Sequence, residues 1–248
     1  MCTLIIAVQV LKDCPLWIAA NRDEVLERPA APPSIDSSGA VALLAPRDLE
    51  AGGTWLGLNA CGLFAGITNR FAMVRQPGHR SRGLIVLDAL AERSAAAAAD
   101  RIAASGPGDH NGFHLVVADE KEAFLVWNDG LRLQRRRLSP GVHVITERSL
   151  GAGESRRITR LEEDVQRWAL QSASDTAALV GFLARHDEHD EPLESTCVHF
   201  AALNYGTRSS SIVSLGAQTR FLHADGPPCK TPYVDFSEQA EALMKTGC

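Results

Sequence analysis

The sequence is poor in the features that mark several large classes of protein. Its 248 residues contain six cysteines, none in CxxC spacing, and aromatic residues make up 6% of the chain. Such sparse cysteines do not fit a disulfide-stapled secreted scaffold, so we expect reduced thiols. No apolar run reaches the roughly 18 residues of a membrane span, and the apolar opening has neither a cationic segment before it nor a small-residue cleavage site after it. These absences predict a cytoplasmic protein without a transmembrane segment.

The charges are mixed along the chain rather than gathered in blocks. Lys and Arg number 25 against 30 Asp and Glu, which gives a net charge of -5. There is no polybasic stretch to collect phosphates, so nucleic acid is not expected as a partner. A chain of this length can bury a sizeable core without disulfides, and we predict one domain spanning residues 1–248.

The hydrophobic pattern predicts two blocks of strands, each followed by helices. Residues 3–10 are apolar on both alternating faces, as in a strand that is covered on both sides. The other predicted strands are residues 16–20, a hairpin of 52–59 and 63–68, then 113–118, 123–127, 131–138, 142–146, 197–201, 210–215 and 219–222. The predicted helices are residues 83–92, 94–104, 155–170, 175–185 and 237–245, and the proline-containing stretch 27–38 is expected to be a surface loop. This order indicates an α+β protein with two packed sheets covered by helices.

The second residue is the first candidate for chemistry. A small residue after the initiator methionine allows Met1 to be removed, which would place the Cys2 thiol and a free α-amine on one carbon atom. These groups titrate near ~8.5 and ~8, so nucleophile and base are both poised close to neutral pH. Such a site also needs a cation, a carboxylate and a hydrogen-bond donor for an oxyanion. Arg22, Asp23 and Asn69 supply these three residue types, each near the predicted end of a strand.

Arg22 and Asp23 are adjacent, and this raises a geometric problem. Successive residues of a regular strand point to opposite faces, so both side chains cannot approach Cys2 from a straight strand. We therefore expect Asn21 to end the strand, Arg22 to turn toward the thiol, and Asp23 to hold either the amine or the arginine. The alternative interpretation is structural: Cys2 is a small buried hydrophobe, and Arg22 and Asp23 form an ion pair that closes a loop.

Four short motifs along the chain resemble those of one known family. They are NRDE at residues 21–24, GGTWLG at 52–57 continuing to Thr68 and Asn69, SRG at 81–83, and YGTRSS at 205–210. Together with the opening Met1-Cys2 they resemble the NRDE family, the family of the transport and Golgi organisation protein. The resemblance covers most of the chain.

This resemblance implies a fold similar to that of the N-terminal-nucleophile hydrolases. That fold is an αββα four-layer sandwich of two mainly antiparallel sheets, with the cysteine at the start of a central strand. By likeness to the penicillin and bile-salt amidases, the implied partners of Cys2 in catalysis are Arg22, Asp23 and Asn69.

The chain departs from those amidases at two places. They separate the arginine and the aspartate by two residues, and they carry a second oxyanion-binding asparagine where this chain has Glu147. A carboxylate at that place would repel a developing negative charge. Arg208 is a weaker candidate, which could restore positive charge from a neighbouring strand.

The sequence leaves two functions open. In the first, Cys2 acts on an amide or thioester bond of a small acyl substrate and needs no cofactor. In the second, implied by the family's association with haem trafficking and with lipid or acyl-coenzyme A metabolism, the same cleft binds haem or an acyl chain and turns nothing over. The chain has no CxxCH motif, so any haem would be held reversibly by a histidine or a cysteine thiolate, and the ligand stays open.

No metal site is predicted. Residues 186–191 (HDEHDE) contain ligand types for a transition metal. Because they lie between a predicted helix and Pro192, we interpret them as a solvated acidic loop.

Overall fold

The structure is a computed structural model that describes residues 2–71, 76, 78–129, 131–153, 155–171, 176–187 and 191–247. Its strands are β1 (Thr3–Leu11), β2 (Cys14–Val25), β3 (Ala30–Asp36), β4 (Leu43–Asp48), β5 (Leu56–Asn59), β6 (Phe64–Asn69), β7 (Phe113–Ala118), β8 (Ala123–Asn128), β9 (Leu133–Arg137), β10 (Gly141–Thr146), β11 (His199–Phe200), β12 (Tyr205–Leu215), β13 (Arg220–Ala224) and β14 (Val234–Asp235). Its helices are α1 (Arg82–Leu90), α2 (Ala95–Ala103), α3 (Arg156–Leu170), α4 (Thr176–Leu183) and α5 (Ser237–Lys245), with short 3-10 turns at Pro192–Glu194 and Ala201–Leu203. These elements form two compact units: the first comprises residues 1–28 and 140–237, and the second comprises residues 29–139 and 238–248.

The first unit contains a seven-stranded sheet in which β1 is an interior strand, second from one edge. The strand order is β10-β1-β2-β12-β13-β14, with β11 paired to β12 beside this path, and every pair is antiparallel. Neighbouring residues of β1 point to opposite faces, yet Ile5 and Ile6 are both almost completely buried. This confirms the prediction that the strand is covered on both sides.

Helices α3 and α4 pack on one face of this sheet. Ile5 of β1 and Trp17 of β2 belong to one apolar cluster with Leu161 and Val165 of α3. The Trp17 and Trp168 rings meet edge to face, with centroids 5.9 Å apart. Because strand side chains alternate, the odd-numbered residues of 3–8 and 16–23 face the helices and the even-numbered residues of these ranges face the other side.

The second unit contains another seven-stranded antiparallel sheet, in the order β3-β4-β5-β6-β7-β8-β9. Helices α1 and α2 pack against it through a second apolar cluster, to which α2 contributes mainly alanines. The Ser94 hydroxyl caps α2 by accepting a hydrogen bond from the Ala97 amide at 3.2 Å. Small side chains on α2 allow the helix to lie close to the sheet.

All five predicted helices are found, and their ends agree with the prediction to within two residues. Within the described part of the chain, no helix combines the length and apolar character that crossing a membrane requires. The prediction of a loop at residues 27–38 is wrong, because Ala30–Asp36 forms β3. The pairing register shifts between Ala31 and Ser34, which places Pro32 and Pro33 at an irregularity in an edge strand. Proline is tolerated there because no ladder hydrogen bond is lost.

Two of the glycine-containing motifs meet in the second unit. The Thr54 amide donates to the carbonyl oxygen of Gly83 at 3.1 Å. A Cβ atom on Gly53 would lie 2.5 Å from the carbonyl carbon of Gly83, so the two backbones approach more closely than any side chain permits. The Ser81 hydroxyl accepts from the Gly83 amide and thereby caps α1. The GGTWLG and SRG motifs therefore form one packing contact.

The expectation of reduced thiols is wrong for Cys61, which is disulfide-bonded. Cys2, Cys197 and Cys229 are not bridged. The cysteine count gives only the density of thiols along the chain, whereas a disulfide depends on which sulfur atoms the fold brings together.

The Gly53–Gly83 contact can be tested by adding one methyl group. We expect Gly53→Ala to lower the free energy of unfolding by about 1–3 kcal/mol, because the new Cβ must displace backbone atoms. Gly181→Ala is the matched control, since a Cβ on this exposed residue of α4 meets no atom within 4 Å. It should raise stability by roughly 0.5–1 kcal/mol, the usual gain of alanine over glycine in a helix. Chemical denaturation measures both, and an unchanged midpoint for Gly53→Ala would contradict the close contact.

Candidate active site around Cys2

Cys2 lies directly before β1, between two neighbouring strands. Thr3, the first residue of β1, pairs with Thr146 of β10 on one side and with Asn21 of β2 on the other. Cys2 precedes Thr3 in the chain, and among the charged side chains near it are Arg22 and Asp23 of β2. Its side chain is half-buried, and its Sγ lies 4.0 Å from the carbonyl oxygen of Asp23. The thiol is thus placed at the start of a central strand, as the resemblance implied.

The surroundings of Cys2 disfavour its thiolate. Burial is the largest cause and raises the pKa of the Cys2 thiol, and the negative charge of Asp23 raises that pKa further. The positive charge of Arg22 and the hydrogen bond to the backbone of Asp23 lower it. The thiol is therefore the resting form near neutral pH, and a base is needed to make it nucleophilic.

The prediction that Asn21 ends the second strand is wrong. Strand β2 continues to Val25, and Asn21 pairs with Ser210 of β12 inside the ladder. The buried Asn21 amide group donates to the carbonyl oxygens of Leu183 and Thr196, both at 2.8 Å. Its role is to bind two otherwise open carbonyls at the end of α4 and in the segment before β11, and this stabilises the straight strand.

Strand alternation separates the two charged neighbours. Arg22, like Cys2, is an even-numbered position on the face turned away from α3 and α4, whereas Asp23 shares the helix-facing side with Asn21. The Arg22 side chain is 6% exposed, and its Nη2 lies 3.8 Å from the carboxylate of Glu24 on the same face. The strand therefore brings Arg22 to the side of the thiol and turns the Asp23 carboxylate to the other side.

The Asp23 carboxylate is buried and incompletely hydrogen-bonded. Its Oδ1 accepts from the hydroxyl of Thr207 at 2.6 Å, while its Oδ2 has no hydrogen-bond partner among the residues that the structure describes. The Thr207 hydroxyl in turn accepts from the Val198 amide at 2.8 Å. Burial is the largest cause that raises the pKa of Asp23 to about 6, against the lowering effects of Thr207 and Arg157. This carboxyl can therefore exchange a proton close to neutral pH.

Glu147 is neutralised by a buried arginine. The guanidinium of Arg157 on α3 donates to both carboxylate oxygens, at 2.9 and 3.2 Å, and both side chains are almost completely buried. The same guanidinium donates to the Ser195 carbonyl at 3.0 Å. A bidentate charge-assisted pair of this kind fixes the carboxylate and cancels its charge. The repulsion expected from Glu147 is therefore offset inside the first unit.

Arg208 occupies an irregular position in β12. The pairing of β12 with β2 shifts register between Thr207, opposite Asp23, and Ser209, opposite Arg22, so Arg208 is the extra residue of a β-bulge. Its guanidinium forms an ion pair with Asp225 at 2.6 Å. The Arg208 guanidinium, which the sequence suggested as a positive charge for the Cys2 site, is therefore paired with Asp225.

Asn69 is the last residue of β6, in the second unit. It pairs with Phe113 of β7 and is half-exposed. The sequence predicted that Asn69 lies at the end of a strand, and the structure places it there. Its role as an oxyanion donor stays a prediction.

Three residues of the first unit were missed by the sequence prediction. Thr207 binds Asp23, Arg157 binds Glu147, and Ser209 stands opposite Arg22 with a buried hydroxyl for which the described residues supply no partner. The YGTRSS motif contained a signal for Thr207 and Ser209. Arg157 is one of many arginines in a helical pattern, and the sequence carries no signal that it is buried.

A cavity of about 540 Å³ lies within the second unit. Its polar lining includes His79, Arg80, Asp88, Arg101 and His110. None of the five predicted site residues lines this cavity. The chemistry predicted for Cys2 therefore receives no support from it.

Solved structures of an acylase, an amidase and a hydrolase have a fold similar to that of this chain. Penicillin V acylase from Agrobacterium tumefaciens matches with a TM-score of 0.58 at 12% identity, over 100% of this chain and 89% of that chain. The Caenorhabditis elegans ortholog of N-acylethanolamine-hydrolyzing acid amidase matches with a TM-score of 0.62 at 12% identity, over 98% and 97%. Conjugated bile acid hydrolase from Clostridium perfringens, solved as a variant, matches with a TM-score of 0.52 at 12% identity, over 96% and 93%. These likenesses confirm the predicted α+β fold class of the N-terminal-nucleophile hydrolases, and at such identities they show the fold alone.

Two curated relatives are similar in sequence. The bovine Transport and Golgi organization protein 2 homolog is 28% identical over 252 residues, which cover 91% of this chain and 86% of that protein. The mouse Transport and Golgi organization 2 homolog is 32% identical over 108 residues, 42% of this chain and 38% of that protein, so this match spans less than half the length of the relative. The profile of the family described as TANGO2, Transport and Golgi organisation 2, matches residues 1–224. The chain therefore belongs to the Transport and Golgi organisation 2 family, as its NRDE, GGTWLG and YGTRSS motifs predicted.

Proposed function

We propose that this protein is a cysteine amidohydrolase that cleaves a C–N amide or thioester bond of a small acyl substrate through Cys2. The observation that carries the proposal is the position of the thiol at the start of a central strand, on the same face as the buried Arg22. The similar structures with acylase, amidase and hydrolase titles support an acyl substrate. The proposal requires that Met1 be removed, so that the α-amine of Cys2 is free.

The proposed reaction has two halves. The Cys2 sulfur attacks the acyl carbonyl carbon while its proton passes to the α-amine, and the protonated amine then delivers that proton to the leaving nitrogen or sulfur. Water next attacks the resulting thioester and loses a proton to the amine, which releases the carboxylic acid and restores the thiol. Arg22 stabilises the thiolate through its charge. Asn69 and a backbone N–H are proposed to bind the oxyanion, by resemblance to the amidases.

The alternative is a binding protein that uses the same first-unit residues without turnover. The specific observation in its favour is that burial and Asp23 both raise the pKa of the Cys2 thiol, which leaves little thiolate at neutral pH. The printed names of the relatives, which refer to transport, also support it. The ligand in this case would be haem or an acyl chain, as the family resemblance implies.

Turnover by Cys2 distinguishes these functions. We expect hydrolysis of at least one substrate in a panel of acyl amides and thioesters, with loss of activity in Cys2→Ala and with intact mass showing that Met1 is absent. Cys14→Ser is the matched control and should keep full activity, because the Cys14 thiol donates to the carbonyl oxygens of Leu16 and Leu215, away from the start of β1. Asn69→Ala should lower kcat by about 100–1000-fold with a smaller effect on KM.

Two results would contradict the amidohydrolase proposal. One is retention of Met1, which blocks the amine. The other is activity in Cys2→Ala equal to that of the wild type.

Haem binding is tested separately by absorbance. If the protein binds haem through Cys2, titration should shift the Soret band of the wild type, and Cys2→Ala should abolish that shift. A shift that Cys2→Ala retains would assign the ligand to another residue, and no shift in either protein would contradict haem binding.

The titration of Asp23 predicts a specific pH dependence of stability. The carboxyl has a pKa of about 6 in the folded protein against 3.8 without burial, so between these values the unfolded chain releases a proton that the folded protein keeps. Stability is therefore lost as pH rises from about 4 to about 6, by up to about 3 kcal/mol, and stays constant above that range. As the pH rises from 4 to 7, the free energy of unfolding of Asp23→Asn, measured in urea, should increase relative to that of the wild type.

The control for this experiment is Asp13→Asn, which changes an exposed carboxylate in the turn between β1 and β2. The difference in free energy of unfolding between Asp13→Asn and the wild type should change little between pH 4 and 7. If the difference in free energy of unfolding between Asp23→Asn and the wild type does not grow with pH, the raised pKa of the buried Asp23 carboxyl is contradicted.

A further inference from the structure

Four metal-ligand side chains, none of which is assigned a role above, converge in the first unit. They are His186, Cys197, His199 and Cys229, and their ligand atoms all lie within 4.8 Å of one another. Two of the four are thiols that form no disulfide, and the other two are imidazoles. This is a Cys2His2 donor set, the composition of many structural zinc sites.

The distances between the ligand atoms match the edges of a tetrahedron around one ion. Cys197 Sγ lies 3.6 Å from Cys229 Sγ and 3.6 Å from His199 Nε2, and His199 Nε2 lies 3.3 Å from Cys229 Sγ. With Zn–S at about 2.3 Å and Zn–N at about 2.0–2.1 Å, neighbouring ligands of tetrahedral zinc are about 3.3–3.8 Å apart. These three distances form one face of the tetrahedron. The His186 ring lies beside the His199 ring, with centroids 5.1 Å apart, and its ligand atom lies within 4.8 Å of the other three.

The backbone around the ligands is fixed independently of any ion. The amides of Thr196 and Cys197 both donate to the Arg185 carbonyl, at 3.0 and 2.9 Å, which holds Cys197 beside the segment that carries His186. Val198, between the ligands Cys197 and His199, accepts from the Thr207 amide at 2.9 Å. In the loop that carries Cys229, the amides of Lys230 and Thr231 both donate to the Pro227 carbonyl. Three segments distant in sequence are therefore held with their ligands facing one another.

We propose that His186, Cys197, His199 and Cys229 bind a thiophilic divalent metal ion, with Zn²⁺ as the expected ion, in a tetrahedral Cys2His2 site. Two thiolates balance the charge of the ion, and thiolate with imidazole favours zinc over calcium or magnesium. Four protein ligands leave no coordination position for a substrate, so the role is structural. The ion joins the end of α4, β11 and the β13–β14 connection.

The proposed site is linked to the Cys2 region by one side chain. The Thr207 hydroxyl accepts from the amide of Val198, which lies between two of the ligands, and donates to Asp23. A metal ion that fixes β11 therefore also fixes the partner of the Asp23 carboxylate.

Cobalt is the probe that tests the site. The full-length protein, stripped of metal with a chelator and kept under a non-chelating phosphine reductant, should take up one Co²⁺ per chain. It should then show thiolate-to-cobalt charge transfer and the visible bands of tetrahedral Co²⁺, and Zn²⁺ should abolish these bands by displacement. Cys229→Ser should bind at least about 100-fold more weakly, since even substitutions outside the ligand set typically cost about 10–100-fold. Cys14→Ser, the matched thiol control, should bind like the wild type.

A measurement on the wild type alone tests the site even if the Cys229→Ser variant fails to fold. Zn²⁺ should protect Cys197 and Cys229 from alkylation, as read by peptide mass, and should raise the melting temperature. Equal cobalt binding by Cys229→Ser and Cys14→Ser, no charge-transfer band, or a Cys197–Cys229 disulfide in the reduced, metal-free protein would each overturn the proposal. Because Cys2→Ala should keep the cobalt bands, failure of the metal site and failure of the amidohydrolase proposal are separate results.

Discussion

Strand β1 is hydrogen-bonded along both edges, to β2 on one side and to β10 on the other, and this double pairing sets the position of Cys2. A residue at the end of an edge strand would be free to move away from its neighbours. Here the registers that start at Thr3 hold Cys2 beside the end of β2, where Arg22 and Asp23 act on the thiol through their charges. The apolar side chains of β1 are buried on both faces, so the ladder cannot slip by one residue without turning the strand over.

The charges beside this ladder belong to one buried network. Arg157 binds Glu147 through two hydrogen bonds, while Asp23 keeps a single hydrogen bond from Thr207 and an oxygen that no described residue contacts by hydrogen bonding. One guanidinium and two carboxylates in a desolvated region cannot all be charged without cost, and the raised pKa of Asp23 is the result. The network couples α3, β2, β12 and the segment before β11, so it supports the fold, and it holds a proton-exchanging carboxyl on the face of β2 opposite Arg22.

Much of the fold could be predicted from the sequence because its helices have regular apolar spacing and its central strand is apolar on both faces. The end of β2 was predicted wrongly because polar residues at positions 21–24 suggest a strand end, whereas buried partners for Asn21 and Asp23 keep the strand straight. The geometric difficulty of Arg22 and Asp23 is resolved by using both faces of the sheet and a bulge in the neighbouring strand, rather than by bending β2.

The sequence by itself determined the family, the fold class and the residue types available for chemistry, since these follow from local motifs and from periodicity. Only the tertiary structure decided which groups meet. The pairing of Arg157 with Glu147, the contact of Gly53 with Gly83 and the convergence of His186, Cys197, His199 and Cys229 each join different elements of the fold. Such contacts depend on strand register and on the packing of helices against a sheet, and local sequence carries no record of either.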